Sequence, residues 1–212
     1  MRILILFSFI SLLFIACKSK TPDKKDIPAK KIDSTTVDPP VVVSKDSILL
    51  KLTQEVLTAF KNRDYKTLSG IVHPEGVRFS PYAFINPATD KLITNTQLEA
   101  WADKKKQAII EWGTIDPTDE PIKVTIDYYV KRFVYDVDFL NPEKKKVNEF
   151  IGSGNTTNNL LAFYPGCDFT ESHFSGFEKK YEGMDWKSIR LVFKLKNEKY
   201  YLVGVVHDEW TT

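Results

Sequence analysis

From Ile3 to Ile15 the chain is apolar apart from Ser8 and Ser11. These 13 residues fall short of the roughly 20 that a helix needs to span a bilayer. After the positive start Met1-Arg2 they fit the apolar region of a secretory signal, residues 1–16. Residues 17–46 show no apolar period. They hold Pro22, Pro28, Pro39 and Pro40, many Lys and Asp, and no aromatic residue. Such a stretch cannot bury enough apolar area to offset the entropy of ordering it, so it reads as a disordered tether. Residues 47–212 read as a single folded domain. Asp46 or Ser47 can cap a helix whose apolar face is Ile48, Leu49, Leu52, Val56, Ala59 and Phe60.

Asn62-Arg63-Asp64 should end that helix, and Asp64 can cap a short second one carrying Tyr65 and Leu68. Val77 to Ser80 and Ala108 to Thr114 look extended. Thr94 to Gln97 has the spacing of a capping box before a helix through Leu98 and Trp101. Thr125 can cap a helix that turns Ile126, Tyr129, Val130 and Phe133 inward. Gly152-Ser153-Gly154-Asn155 reads as a flexible loop, and Asn158 to Phe163 as one or two helical turns. The clearest pattern is the last. Trp186 to Lys196 alternates, with Ile189, Leu191, Phe193 and Leu195 on one side. Tyr200 to Trp210 follows a short polar turn, so the two runs make a long hairpin. Ser188, Arg190 and Lys194 share the other side of the first run, which suggests a face that is wet or lines a cavity. Helices first and a mostly antiparallel sheet later is an α+β pattern.

Charge changes the picture little. The chain has 30 basic and 28 acidic residues. One Arg in 1–16 and seven Lys and five Asp in 18–47 leave 22 basic against 23 acidic residues for the remainder. A near-neutral domain lacks the electrostatic footprint of a nucleic-acid binder. The cysteines matter more. Leu13-Phe14-Ile15-Ala16-Cys17 resembles a bacterial lipobox, although Phe14 replaces the usual Leu. The resemblance implies that Cys17 carries the lipid and that the mature chain is held at a membrane, since two or more acyl chains anchor firmly. Lys18, rather than Asp, after the lipidated Cys implies outer-membrane delivery in a Gram-negative envelope. Cys167 is then the one thiol left in the domain. No internal disulfide is possible, and a buried, inert thiol is the expectation.

Phe60-Lys61-Asn62-Arg63-Asp64-Tyr65, leading on to Leu68 and Val72, resembles the start of the nuclear transport factor 2-like cone fold, as does the terminal hairpin. More narrowly, the segments 73–82, 133–139, 183–186 and 204–210 look like a signature of bacterial extracellular proteins with no assigned activity. The resemblance implies N-terminal helices packed on a strongly curved, mostly antiparallel sheet. It also implies a pocket between sheet and helices, the default place for a ligand. The side chains to watch there are Arg78, Tyr82, Asp136, Asp138, Arg190 and His207. No catalytic residue carries over by position.

Asp136 and Asp138 are two apart, so on a strand they would share a face. Such a pair can bind a cation or divide acid and base roles. A solvated strand face is the commoner outcome and the expected one. His207 and Asp208 would point to opposite faces, so they cannot pair with each other. A structural role is expected for His207. His73, His173 and His207 show no metal-ligand spacing. Neither a phosphate-binding glycine pattern nor a zinc Cys pair is present, so no cofactor or metal is expected. Ser153 lacks the flanking pattern of a nucleophile elbow. The four Trp residues are expected in core and sheet packing. The reading is a membrane-anchored, non-catalytic binding or interaction module. The alternative is a small-molecule isomerase, dehydratase or cyclase. There His207 or Asp136 would move a proton, while Tyr82 or Arg78 stabilised negative charge.

Overall fold

A computed structural model describes residues 44–211. The signal segment, Cys17 and residues 18–43 of the tether lie outside the described residues. Ser44 caps the first helix, α1 (Lys45–Asn62), by accepting from the Ser47 backbone N–H at 3.2 Å. The helix therefore starts two residues before the expected boundary at 47. Its buried face is Leu49, Val56, Leu57, Ala59 and Phe60, while Ile48, expected inside, is exposed. Arg63 ends it in the left-handed region at φ 57°. Asp64 accepts from the Thr67 N–H to cap α2 (Tyr65–Ile71).

Then come β1 (Val77–Ser80), β2 (Lys91–Ile93) and α3 (Asn95–Trp101). The Thr94–Gln97 capping box at the head of α3 is formed in both directions. β3 (Ile110–Ile115) and β4 (Glu120–Val124) make a separate hairpin. Thr125 caps α4 (Ile126–Phe133), which buries Ile126, Tyr129, Val130 and Phe133 as the spacing predicts. β5 (Lys144–Val147), the single turn α5 (Leu160–Phe163) and β6 (Asp168–Phe174) precede the terminal hairpin of β7 (Lys187–Lys196) and β8 (Lys199–Glu209). Its two-residue turn, Asn197-Glu198, has φ 49° and 62°, the doubly positive pair that a twisted hairpin needs.

The architecture is α+β. One sheet runs β2-β1-β8-β7-β6-β5, antiparallel at every pairing except β1 with β8. A register shift between Val192 and Phe193 bulges β7 against β8, and bulges bend sheets.

Both faces of this sheet are covered. The inner face carries Val77, Phe79, Ile189, Leu191, Phe193 and Val205 against α1 to α4 in the main core. On the outer face lies a smaller core of Ile85, Leu160, Phe169, Val192 and Val206 under α5 and the 81–90 and 148–160 segments. Ser188 and Arg190 on that face are completely buried. The side expected to be wet or to line a cavity is thus a second buried layer at Ser188 and Arg190, and lines an open groove only at Lys194. The alternation was right, but the chain folds a loop layer over it.

Candidate functional site

The space between sheet and helices, where the cone resemblance places a pocket, is filled. Trp112, reaching in from β3, stacks on Tyr129 with ring centres 4.3 Å apart. Phe79 meets the edges of both at 5.5 and 5.8 Å, and Phe133 continues the row at 5.2 Å from Tyr129. Trp112, Tyr129 and Phe79 are inaccessible to solvent. Trp101 and Trp186 are also buried, as expected, whereas Trp210 is exposed.

At the end of this row is an ionic cluster. α4 stops at Phe133, and the bend that follows turns Asp136 toward the inner face of β8. His207 lies there beyond the Phe133 ring, with centroids 6.2 Å apart. Lys187 and Glu209, paired across β7 and β8, complete the group with Arg132. Lys187 donates to both Asp136 and Glu209, the latter at 2.9 Å. Arg132 donates to Glu209 at 2.6 Å. Burial works to raise the Asp136 carboxyl, but His207 and Lys187 outweigh it and hold it down at about 2. Glu209 is lowered in the same way by His207, Arg132 and Lys187.

Asp136 and Asp138 do not share a strand face. The segment after α4 bends and is not a strand. Asp136 is buried at the ionic cluster, while Asp138 is exposed and accepts from Tyr135, Asn141 and Lys61. The two carboxylates therefore make no joint site. Their spacing read as strand because it is also compatible with the turns that end a helix. His207 and Asp208 do point to opposite faces. His207 joins the inner cluster, whereas Asp208 lies 2.8 Å from Arg190 on the outer face. Tyr82 is buried edge-on against Phe133, 6.1 Å between centroids. His73 is near Glu75, His173 binds Ser188 and His207 faces Asp136.

Outside, β6 and β7 bury a network that spacing alone does not reveal. Glu171 accepts from Arg190 Nε (3.0 Å), the Ser188 hydroxyl (2.6 Å) and the backbone N–H of Ile151 (3.0 Å) and Gly152 (2.8 Å). Arg190 Nη2 donates back to the Gly152 carbonyl at 2.8 Å. A Cβ at Gly152 would sit 2.6 Å from Ser188 Oγ and 2.7 Å from the Trp186 ring, so only glycine fits. The Gly152-Ser153-Gly154 loop, expected to be flexible, is pinned to the sheet here. Arg190 is therefore a structural ion at the centre of this layer and does not face an open cavity.

Among the expected site residues, Tyr82 lines a small cleft with Asp116 and Asp119, and Arg78 lines a larger open groove. The groove lies on the outer face and holds about 340 Å³, with Arg78, Phe163, Tyr164, Cys167, Lys194 and Val203 among its walls. The Arg78 guanidinium donates to the Asp90 carbonyl at 2.7 Å and sits 5.6 Å from the Phe163 ring centre. Tyr164 packs on Gly204, where a Cβ would come within 2.7 Å of its hydroxyl. Cys167, expected to be fully buried, is half-buried in the wall, and burial pushes its thiol up. Lys194, which the alternation placed on a wet or cavity-lining side, stands exposed in this wall, whereas Phe163, 31 residues away, meets it only through the fold.

The described residues thus define an α+β domain with helices on the inner face of a large, mostly antiparallel sheet that ends in a hairpin. No family model matches the chain. No curated protein matches it. Among solved structures, a designed NTF2-like protein, Rd1NTF2_05 in a substituted form, is similar over 77% of this chain and 99% of its own. The identity is 11% and the TM-score 0.31.

Proposed function

We propose that the protein is a binding module of the cell envelope, lipid-anchored through Cys17, delivered to the outer membrane and held off it by the 18–46 tether. Its ligand is a small anion with a flat apolar part, taken in the outer groove. One observation carries this reading. The inner space is packed with Trp112, Tyr129 and Phe133, whereas the open groove presents two cations, Arg78 and Lys194, against one carboxylate, Glu75, beside the Phe163 and Tyr164 rings. Cationic groups over aromatic walls favour an anionic headgroup with a planar body. The isomerase, dehydratase or cyclase alternative requires room for a substrate next to His207 and Asp136, and Phe133 and Tyr82 take up that room.

The groove is tested with naphthalene-1-sulfonate as probe, followed by saturation-transfer NMR and calorimetry. Binding by the wild type that is lost in Lys194→Glu, an exposed position, supports the reading. Equal affinity in both proteins refutes it. The anchor is tested separately. Radiolabelled palmitate should enter the wild type and not Cys17→Ser, and globomycin should block processing. A chain processed normally in globomycin would remove the membrane from the proposal.

A further inference from the structure

The inner ionic cluster has a feature that ion pairing does not explain. His207 is fully buried. Its Nδ1 lies 3.2 Å from the Pro81 carbonyl oxygen, which can only accept, so Nδ1 carries the hydrogen. Nε2 is then the ring atom that faces the cluster, and it has no hydrogen-bond partner. It lies 3.5 Å from Oδ2 of Asp136. A charge-assisted hydrogen bond between them would close to about 2.7–2.9 Å. Instead the gap matches the spacing of two ligand atoms around one shared metal ion. At metal–ligand distances of about 2.0–2.1 Å and a tetrahedral angle, they stand about 3.4 Å apart. Asp136 Oδ1 is also buried without a partner, and a Glu209 oxygen joins Asp136 and His207 with all ligand atoms within 4.8 Å of one another.

We propose that His207 Nε2, Asp136 and Glu209 form a binding site for a divalent transition-metal ion such as zinc. One imidazole and two carboxylates suit such an ion and leave a fourth position for water. The hydrogen bond from Nδ1 to Pro81 fixes the tautomer, as the outer partner of a metal-bound histidine does. Two protein cations face the site. Arg132 holds Oε1 of Glu209, and Lys187 lies between Oε2 of Glu209 and Asp136. Lys187 is the competitor. Its ammonium neutralises the carboxylates until the ion arrives, and its side chain, 23% exposed, has a way out to solvent. The site is thus a cation site that its own lysine occupies in exchange.

The purified full chain, stripped with EDTA, is titrated with Zn²⁺ by calorimetry and with Co²⁺ by visible absorption. The proposal expects one equivalent bound, a tetrahedral Co²⁺ spectrum, tighter binding in Lys187→Met, and loss in Asp136→Asn and His207→Gln. Because His207 is fully buried and its loss can unfold the chain, the unmodified chain supplies a second readout. It has three histidines, and Zn²⁺ should shift the ring resonances of His207 alone. Shifts at His73 or His173 instead would overturn the proposal. So would binding that survives both ligand substitutions, or a wild type that binds no metal whether or not Lys187→Met does.

Discussion

The two faces of the six-stranded sheet are held by different physics. On the inner face, β7 contributes Ile189, Leu191 and Phe193 to an apolar core. Burial of each such side chain stabilises the fold by about 1.5–3 kcal/mol, without much regard to orientation. On the outer face the same strand contributes Ser188 and Arg190, both fully buried, to a network in which Glu171 alone accepts five hydrogen bonds. That network, unlike the apolar patch of Phe169, Val192 and Val206 beside it, gains little from burial itself, because desolvating the ions offsets most of their attraction. It is specific, however, since every partner must be in place. The inner face should tolerate graded change, and the outer face should fail sharply.

Adjacent residues of one strand test this contrast most strongly. Arg190→Met removes the one cation between Glu171 and Asp208 and leaves two buried carboxylates unpaired. The expected cost is about 3–5 kcal/mol in urea unfolding. Ile189→Val, one residue away and facing inward, should cost only about 0.5–1.5 kcal/mol. The triple change Arg190→Met, Glu171→Gln, Asp208→Asn should recover much of the loss, because it removes the stranded charges along with their partner. Similar costs for Arg190→Met and Ile189→Val would erase the distinction between the faces.

Gly152→Ala is a gentler strike at the same layer. The added methyl would overlap Ser188 Oγ and the Trp186 ring, so the loop must lift and loosen its bonds to Glu171 and Arg190. Overpacking of this kind costs about 1–3 kcal/mol. A lowered Tm with altered near-ultraviolet signal from Trp186 is the expected result. An unchanged Tm would mean that the loop does not bear on the network.

The difference between the faces also explains what could be read in advance. Helix α4 was legible because Thr125 can cap it and Ile126, Tyr129, Val130 and Phe133 recur at helical spacing. The terminal hairpin was legible through its period of two. Both are inner-face signals, written in consecutive residues. Strand β5, Lys144-Lys145-Lys146-Val147, gave no such signal. It is an edge strand that pairs through its backbone with β6, and charged edge strands discourage further pairing. The outer network was equally invisible. Glu171 and Arg190 are 19 residues apart, and Gly152 and Arg190 are 38 apart. Such partners meet only after the sheet has set its register. Asp136 illustrates the converse. Its spacing from Asp138 suggested a shared strand face, but α4 ends three residues earlier, and the bend sends the two side chains to different places.

The smallest effect should come from acidity, again on the outer side. Asp90 is buried there, where its carboxylate accepts from the Ser80 hydroxyl and the Asn86 N–H. Burial outweighs these bonds and pushes its carboxyl up to about 6, from an ordinary value of 3.8. The folded state therefore holds the proton more tightly than the unfolded chain does. Between about pH 4 and pH 6 the folded form binds more protons, so stability from this group falls as pH rises. The penalty is complete above pH 6, and is on the order of 1–2 kcal/mol after solvent screening. Asp90→Asn keeps an oxygen acceptor and cannot ionise. It should match the wild type near pH 4 and exceed it in Tm by several degrees at pH 7. Asp136 and Glu209, lowered in the fold, contribute the opposite slope at lower pH, but equally in both proteins, so they cancel in the difference. Parallel Tm curves for the two proteins from pH 4 to 7 would show that Asp90 ionises without penalty, and the outer layer would then be wetter than its burial indicates.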